Sequence, residues 1–238
     1  PYITGITIDK NSGTYKKGDV LKFKVSFNKQ VKVIGNPRLI LKYSSSDTTN
    51  KYAPYASGSG SNSLFFKFTV PEDASSQGII CEGFETVSEN VLGNSARICA
   101  TELGEGDIYT TLANATASSG GGVLKDKVIK LDGVVPKINK ITITPDDGIA
   151  ACTKDKQINA EVEVSENVLV SGSPELLVKV NGQNVKFTFQ KMVDNKITFI
   201  HTVANTDPEG SASAVSASSF TAAHAAYITD NAGNGLSL

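Results

Sequence analysis

The chain has 238 residues, of which 39% are hydrophobic and 20% are charged, and its formal net charge is −1. This composition is typical of a folded globular chain and not of a disordered one, and no apolar run approaches the ~20 residues that a membrane span needs. Residues 1–133 carry 15 basic and 13 acidic side chains, and residues 134–238 carry 8 and 11. Neither balance indicates the clustered basic surface of a nucleic-acid-binding protein, so we expect neither nucleic acid nor direct membrane insertion.

Short segments that suit β-strands follow one another along the whole chain. Residues 22–27 (KFKVSF) and 159–164 (NAEVEV) alternate polar and apolar side chains, while 63–70 (SLFFKFTV) and 185–190 (VKFTFQ) are rich in aromatic and β-branched residues. Alternation with a period of two gives each strand one face for a core and one for water. Asn181-Gly182 favours a tight hairpin between two such segments. Many short strands with no convincing amphipathic helix predict an all-β sandwich.

One part of the sequence occurs twice. Residues 19–41 return as residues 156–178 without a gap, so that Val25 corresponds to Val162. Gly35 and Gly172 correspond in the same gapless alignment. A repeat of this length indicates two tandem copies of one folded unit, and we place the two domains at 1–133 and 134–238.

The first copy is longer than the second. The stretch from Val70 to Asp126 has about twice the length of the stretch from Val203 to Asp230, which we take as the corresponding positions. We therefore expect about 29 additional residues in the first domain, as a long insertion at about 78–122.

The chain has three cysteines, Cys81, Cys99 and Cys152. Cys81 and Cys99 both fall in the predicted insertion, where a disulfide between them would suit an exported protein. The alternative is that all three thiols are free, since the total is odd, and the sequence does not determine the redox state of Cys152. No Cys-x-x-Cys spacing indicates a zinc site.

The repeated segment resembles the tandem bacterial immunoglobulin-like repeats of surface proteins and adhesins. The positions that fit the pattern of that family are Tyr15, Gly18, Asp19, Phe27, Val31, Val33, Gly35, Pro37, Leu39 and Leu41. Asn28 and Lys29 depart from its Ser-Glu pair, which the second copy keeps as Ser165-Glu166. The segment from Asp230 to Asn234 (DNAGN) matches a motif common near the end of such repeats, which the first copy lacks.

The resemblance implies two tandem immunoglobulin-like β-sandwich domains in a bacterial cell-surface or secreted protein. Both ends of the chain fall near repeat boundaries, so we expect a piece of a longer protein. A fold does not define a ligand, and the partner is expected to be a protein or glycan on another surface, or neighbouring repeats of the same chain.

The insertion supplies the candidate ligand-binding residues, because exposed aromatic and charged side chains can anchor an interface. They are Glu82, Phe84, Arg97 and Tyr109. Tyr52 and Tyr55 are further candidates for contact with a sugar, with packing in the core or at its rim as the alternative.

No catalytic or metal site emerges from the spacing of polar residues. The two histidines, His201 and His224, have no nucleophile and acid at a recognisable spacing. Two polar segments are rich in oxygen ligands suited to calcium, namely Asp230, Asn231 and Asn234, and Glu102, Glu105 and Asp107. Neither has the spacing of an EF-hand, and turn chemistry explains the first equally well. We predict no cofactor, with calcium as the alternative.

Three interpretations of the function remain. The first is a non-catalytic segment of an adhesin, which acts as a spacer or, through the insertion of its first domain, as a recognition module. The second is a carbohydrate-binding or accessory module of a secreted hydrolase, and the third is a purely structural stalk. An enzyme is the least favoured interpretation, because no catalytic set can be assembled.

Overall fold

In the computed structural model of the chain, the described residues are 1–88, 91–100, 124, 126–145, 148, 152–212 and 219–238. They divide into two compact units, Pro1–Val134 (unit 1) and Val135–Leu238 (unit 2). Almost every regular element is a strand and most pairings are antiparallel, which confirms the prediction of an all-β, sandwich-like fold. No helix in the described part of the chain is both long and apolar enough to cross a membrane.

Unit 1 contains twelve strands among its described residues. They are β1 (Ile3–Ile8), β2 (Gly13–Lys16), β3 (Val20–Ile34), β4 (Arg38–Lys42), β5 (Lys51–Ser57), β6 (Ser61–Thr69), β7 (Ser75–Ser76), β8 (Ile80–Phe84), β9 (Thr86–Ser88), β10 (Val91–Leu92), β11 (Arg97–Ala100) and β12 (Ile129–Asp132). The main sheet has the order β1-β3-β6-β5-β4-β8, and β11 pairs with the second half of β3. A second sheet has the order β2-β12-β7.

Unit 2 repeats this plan with fewer elements among its described residues. They are β13 (Ile138–Pro145), β14 (Gln157–Val164), β15 (Leu169–Val170), β16 (Glu175–Val180), β17 (Gln183–Val193), β18 (Lys196–Thr202), the short helix α1 (Ala222–Ala225) and β19 (Ile228–Thr229). The main sheet has the order β13-β14-β18-β17-β16, and β15 pairs with β19.

Strand alternation builds the core of each unit. In β3, Leu21, Phe23, Val25 and Phe27 are all buried, whereas Lys24 between them is exposed. The buried set continues into the second sheet through residues such as Leu131 of β12. Burial of apolar area at ~25 cal/mol per Å² is what holds the two sheets of a unit together.

The duplicated segments occupy equivalent places in the two units. Val25 of β3 pairs with Ile6 of β1 and Leu64 of β6, and Val162 of β14 pairs with Ile141 of β13 and Ile197 of β18. The first strand of each unit has a bulge near its start, between Ile3 and Gly5 and between Ile138 and Lys140. Sequence similarity therefore corresponds to a shared register, bulge included.

Asn28 keeps the function of the serine that it replaces. Its Oδ1 accepts a hydrogen bond of 2.8 Å from the backbone N–H of Tyr2, and Ser165 Oγ accepts one of 2.9 Å from the N–H of Lys137. The departure from the repeat pattern at Asn28 thus preserves the contact that ties the first strand to the central strand.

The region expected to be an insertion is partly regular structure. β8 pairs with β4, and β11 pairs with β3 as β19 pairs with β15, so that Ile98 stands where Ile228 stands in unit 2. The stretch from Val70 to Ile98 is nearly as short as the stretch from Val203 to Ile228. β11 therefore belongs to the shared fold, whereas β8, β9 and β10 have no corresponding strand among the described residues of unit 2. The remainder of the predicted insertion, 101–122, lies outside the described residues.

Candidate binding surfaces and parallel strand contacts

The structure places Phe84 in the core and not on a binding surface. Phe84 is only 6% exposed, and its ring meets that of Phe66 edge to face at 5.4 Å. The cause is a bulge in β8, where Leu39 pairs with Phe84 but Leu41 pairs with Cys81. The extra residue returns Phe84 to the face of Cys81, which strict alternation would not do.

The two other predicted contact residues that the structure describes lie on different strands. Glu82 is half-buried on β8, and its carboxylate lies 2.8 Å from Lys42 Nζ. Arg97 is exposed on β11, which pairs with β3 and not with β8 or β4. Tyr109 lies outside the described residues. Glu82 and Arg97 therefore lie on strands that pair with different neighbours.

Cys81 and Cys99 are free thiols, so the expected disulfide is not formed in the structure. They stand on strands with different neighbours, because β8 pairs with β4 and β11 pairs with β3. Burial raises the pKa of Cys81 to about 12, and a protonated thiol is a poor nucleophile. Cys99 is half-buried, and its Sγ lies 3.7 Å from the carbonyl oxygen of Lys32.

Tyr52 and Tyr55 belong to packed arrangements. The guanidinium of Arg38 lies 3.9 Å from the centre of the Tyr52 ring and donates two hydrogen bonds, of 2.8 and 2.6 Å, to the Glu85 carboxylate. That carboxylate raises the pKa of Arg38. Tyr55 packs edge to face on Phe66 at 5.9 Å. Both tyrosines therefore pack at the core or its rim, as the alternative to sugar contact predicted. The Arg38–Glu85 ion pair links the residue after β8 to β4.

A groove of about 620 Å³ lies beside Tyr43 and is lined mainly by serine side chains and by Asp47. The Tyr43 Oη is buried without a hydrogen-bonding partner among the described residues. Burial raises the pKa of this phenol, and the Asp47 carboxylate adds to the rise. Lys51 Nζ lies 4.8 Å from the centre of the ring. A buried hydroxyl without a hydrogen-bonding partner lowers the stability of the folded state, so Tyr43 contributes an unfavourable term to the stability of unit 1.

Both histidines have structural partners. His201 Nε2 lies 2.7 Å from Asp207 Oδ2, and its ring packs at 5.3 Å from that of Phe187. The pKa of Asp207 is lowered, mainly by the hydrogen bond from the backbone N–H of Ala204 and to a smaller extent by the hydrogen bond with His201. His224 accepts a hydrogen bond of 3.1 Å from the backbone N–H of Glu175. These contacts fix loops of unit 2 against its sheet.

The DNAGN loop is closed by its own side chains. Asp230 accepts hydrogen bonds from the backbone N–H and the side-chain amide of Asn234, at 2.8 and 2.7 Å, and both residues are buried. These donors occupy both oxygens of the carboxylate, which favours the turn interpretation. Among the described residues there is no group of three or more His, Cys, Asp or Glu placed to hold a metal ion. Glu102, Glu105 and Asp107 lie outside the described residues.

In each unit, a segment near the start runs parallel to a segment near the end. In unit 1, β2 and β12 pair in parallel from Gly13–Ile129 to Lys16–Asp132. In unit 2, Lys137 and Ser237 form a parallel bridge, and the N–H of Ser237 donates to the carbonyl of Pro136 at 2.9 Å. Force that acts along parallel segments slides them past each other and loads their hydrogen bonds together. In unit 1 such force reaches β2 only through β1, which pairs antiparallel with β3.

Unit 2 has a polar groove of about 390 Å³ on the outer face of its main sheet. The groove is lined by hydroxyl, amide and charged groups from β13, β14, β17 and β18, namely Thr142, Thr144, Gln157, Asn159, Glu161, Gln190, Lys191 and Thr198. A bulge between Phe189 and Lys191 bends β17 at this point.

Comparison with known proteins finds no family model that matches the chain and no curated protein that matches it.

Proposed function

We propose that the chain is a force-bearing, non-catalytic spacer of a bacterial cell-surface or secreted adhesin, built from two immunoglobulin-like repeats. The observation that supports this proposal is that a segment near the start of each unit pairs in parallel with a segment near its end. A spacer that transmits tension needs its two ends joined by bonds that break together, whereas an antiparallel hairpin pulled at its open end loses its bonds one at a time.

The two units differ in the length of this pairing, which makes the proposal testable. Unit 1 has four paired positions between β2 and β12, and unit 2 has a single bridge among its described residues. We therefore expect two unfolding events when the whole chain is stretched in a force microscope, with unit 2 opening first. At about 3.4 Å per residue, the shorter unit 2 releases roughly 350 Å and unit 1 roughly 450 Å, less the length of each folded unit.

Gly13 provides a matched pair of variants. Its N–H donates a hydrogen bond of 3.0 Å to the carbonyl of Val128, and a Cβ at Gly13 would meet no atom of the described residues within 4 Å. Gly13→Pro removes the donor, and we expect it to lower the unfolding force of unit 1 by roughly a quarter, while Gly13→Ala leaves the force unchanged. Equal forces for the two variants, or unit 1 opening before unit 2, would contradict a force-bearing role for β2 and β12.

The alternative of a carbohydrate-binding or accessory module draws its support from the polar groove of unit 2. Its amide and hydroxyl groups are the kind that hydrogen-bond to neutral sugars, although none of the described residues that line it is aromatic. Binding of neutral glycans by the intact chain would favour this alternative over a spacer.

A further inference from the structure

Three lysines project from the outer face of the main sheet of unit 1. Lys22 and Lys24 stand on β3, and Lys67 stands on β6, where Lys22 and Lys67 are directly opposite each other and Lys24 is opposite Phe65. Residues two apart on a strand are about 6.7 Å apart and neighbouring strands about 4.8 Å apart. Three ammonium groups are thus carried by one small area of a rigid sheet.

This arrangement is unfavourable for the sheet itself. Like charges directly opposite each other on paired strands destabilise the pairing. Among the described residues, no ion pair involves any of the three lysines. The neighbouring carboxylate is that of Asp9, which accepts a hydrogen bond of 3.2 Å from the backbone N–H of Lys22. Lys22 Nζ instead lies 4.5 Å from the centre of the Phe65 ring.

Unit 2 shows that the fold does not require these lysines. In the gapless alignment of the two copies, Lys22 corresponds to Asn159 and Lys24 to Glu161. Glu161 forms an ion pair of 2.8 Å with Lys196 on the adjacent strand. The position in unit 2 that corresponds to Lys24 can therefore carry an acidic residue in an ion pair. Lysines at both of these aligned positions are found only in unit 1.

We propose that the face formed by Lys22, Lys24, Lys67 and Phe65, the lysine face, binds an acidic polysaccharide that carries carboxylates on its sugar rings. Cations on a flat face complement the spaced negative charges of such a chain, and the exposed part of the half-buried Phe65, beside Lys22, offers an apolar surface to a sugar ring. Residues 1–133 have nearly balanced charges, 15 basic and 13 acidic, whereas nucleic-acid binding needs a more extensive basic patch. This contact would be a second function, beyond the transmission of force.

The test is calorimetric titration of the intact chain with sodium alginate at low salt. We expect Lys22→Gln, Lys24→Gln and Lys67→Gln together to weaken binding by about tenfold or more, which corresponds to about 1.4 kcal/mol. The control is Lys29→Gln, Lys32→Gln and Lys130→Gln, which removes the same charge from other exposed positions and is expected to leave the affinity within about twofold. The logarithm of the affinity should fall with the logarithm of salt concentration with a slope of roughly −2.

Three further measurements make the outcome decisive. The lysine-face triple variant should keep or raise its melting temperature, because it removes an opposed like-charge pair. A loss of affinity in this variant can then not be attributed to unfolding. Phe65→Ala should weaken binding to alginate while leaving the weaker binding to polyglutamate, which lacks sugar rings, unchanged. The proposal is overturned if the wild-type chain does not bind alginate, if both triple variants lose affinity equally, or if neutral dextran or single-stranded DNA binds as well as alginate. None of these results affects the force measurement on β2 and β12.

Discussion

Phe66→Ala is expected to destabilise unit 1 by about 3–5 kcal/mol and to leave unit 2 unaffected. Phe66 is fully buried, and its ring touches those of Tyr55 and Phe84 edge to face. Deleting the ring removes apolar burial and these aromatic contacts, and it leaves a cavity between well-packed strands. Since whole domains are stable by only about 5–15 kcal/mol, the loss is a large fraction of the total.

The matched experiment in the other unit is Phe199→Ala. Phe199 is also fully buried, and its ring lies 5.5 Å from that of Phe220 and 6.2 Å from that of Phe189. Scanning calorimetry of the intact chain should show one transition lowered by roughly 10–20 °C in each variant, and a different transition in each. If both substitutions lowered both transitions equally, the two units would not be independent folding cores.

Gly58→Ala is the second substitution with a large expected effect. Gly58 follows β5 at the turn into β6 and has a φ of 112°, and a Cβ there would lie 2.1 Å from the carbonyl oxygen of Ser63. A side chain at this position destabilises the fold in two ways. The positive φ costs about 1–2 kcal/mol for a residue with a Cβ, and the clash with the backbone of Ser63 costs about 1–3 kcal/mol. We expect a loss of about 2–5 kcal/mol in the free energy of unfolding of unit 1.

Gly60→Ala is the control for this substitution. Gly60 lies in the same turn with a φ of 87°, but a Cβ there would meet no atom within 4 Å in the part of the chain that the structure describes. It should cost only the strain, about 1–2 kcal/mol. Urea unfolding of both variants gives the comparison, and a midpoint for Gly58→Ala equal to or above that of Gly60→Ala would show that this close approach of backbone to Gly58 does not exist.

The sequence predicted the strands of the duplicated segment well, because each has one buried and one exposed face. Val25 and Val162 sit in central strands with equivalent partners, as the shared alternation requires. The same alternation identified Lys22 and Lys24 as outward-facing. It could not show that Lys67 lies opposite Lys22, because that contact depends on the register between β3 and β6.

The candidate site was predicted less well, and the bulge in β8 is a principal reason. A period of two places Cys81 and Phe84 on opposite faces, but the bulge puts both in the core. The residue that allows it is Gly83, with a φ of 101°. An isolated glycine in a strand is consistent with a bulge, but it does not show which neighbouring side chains the bulge moves to the core. Treating 78–122 as one insertion also depended on matching Asp126 to Asp230, whereas strand pairing matches Ile98 to Ile228.

The duplication is tested most directly by nuclear Overhauser contacts between strands in the isotope-labelled chain. Two folded copies in the same register require contacts from Val25 to Ile6 and Leu64, and from Val162 to Ile141 and Ile197. Observation of both sets is the expected result. A chain in which either valine contacted strands in another order, or in which one set was absent while the other was present, would contradict the claim that one sequence segment folds twice in the same way.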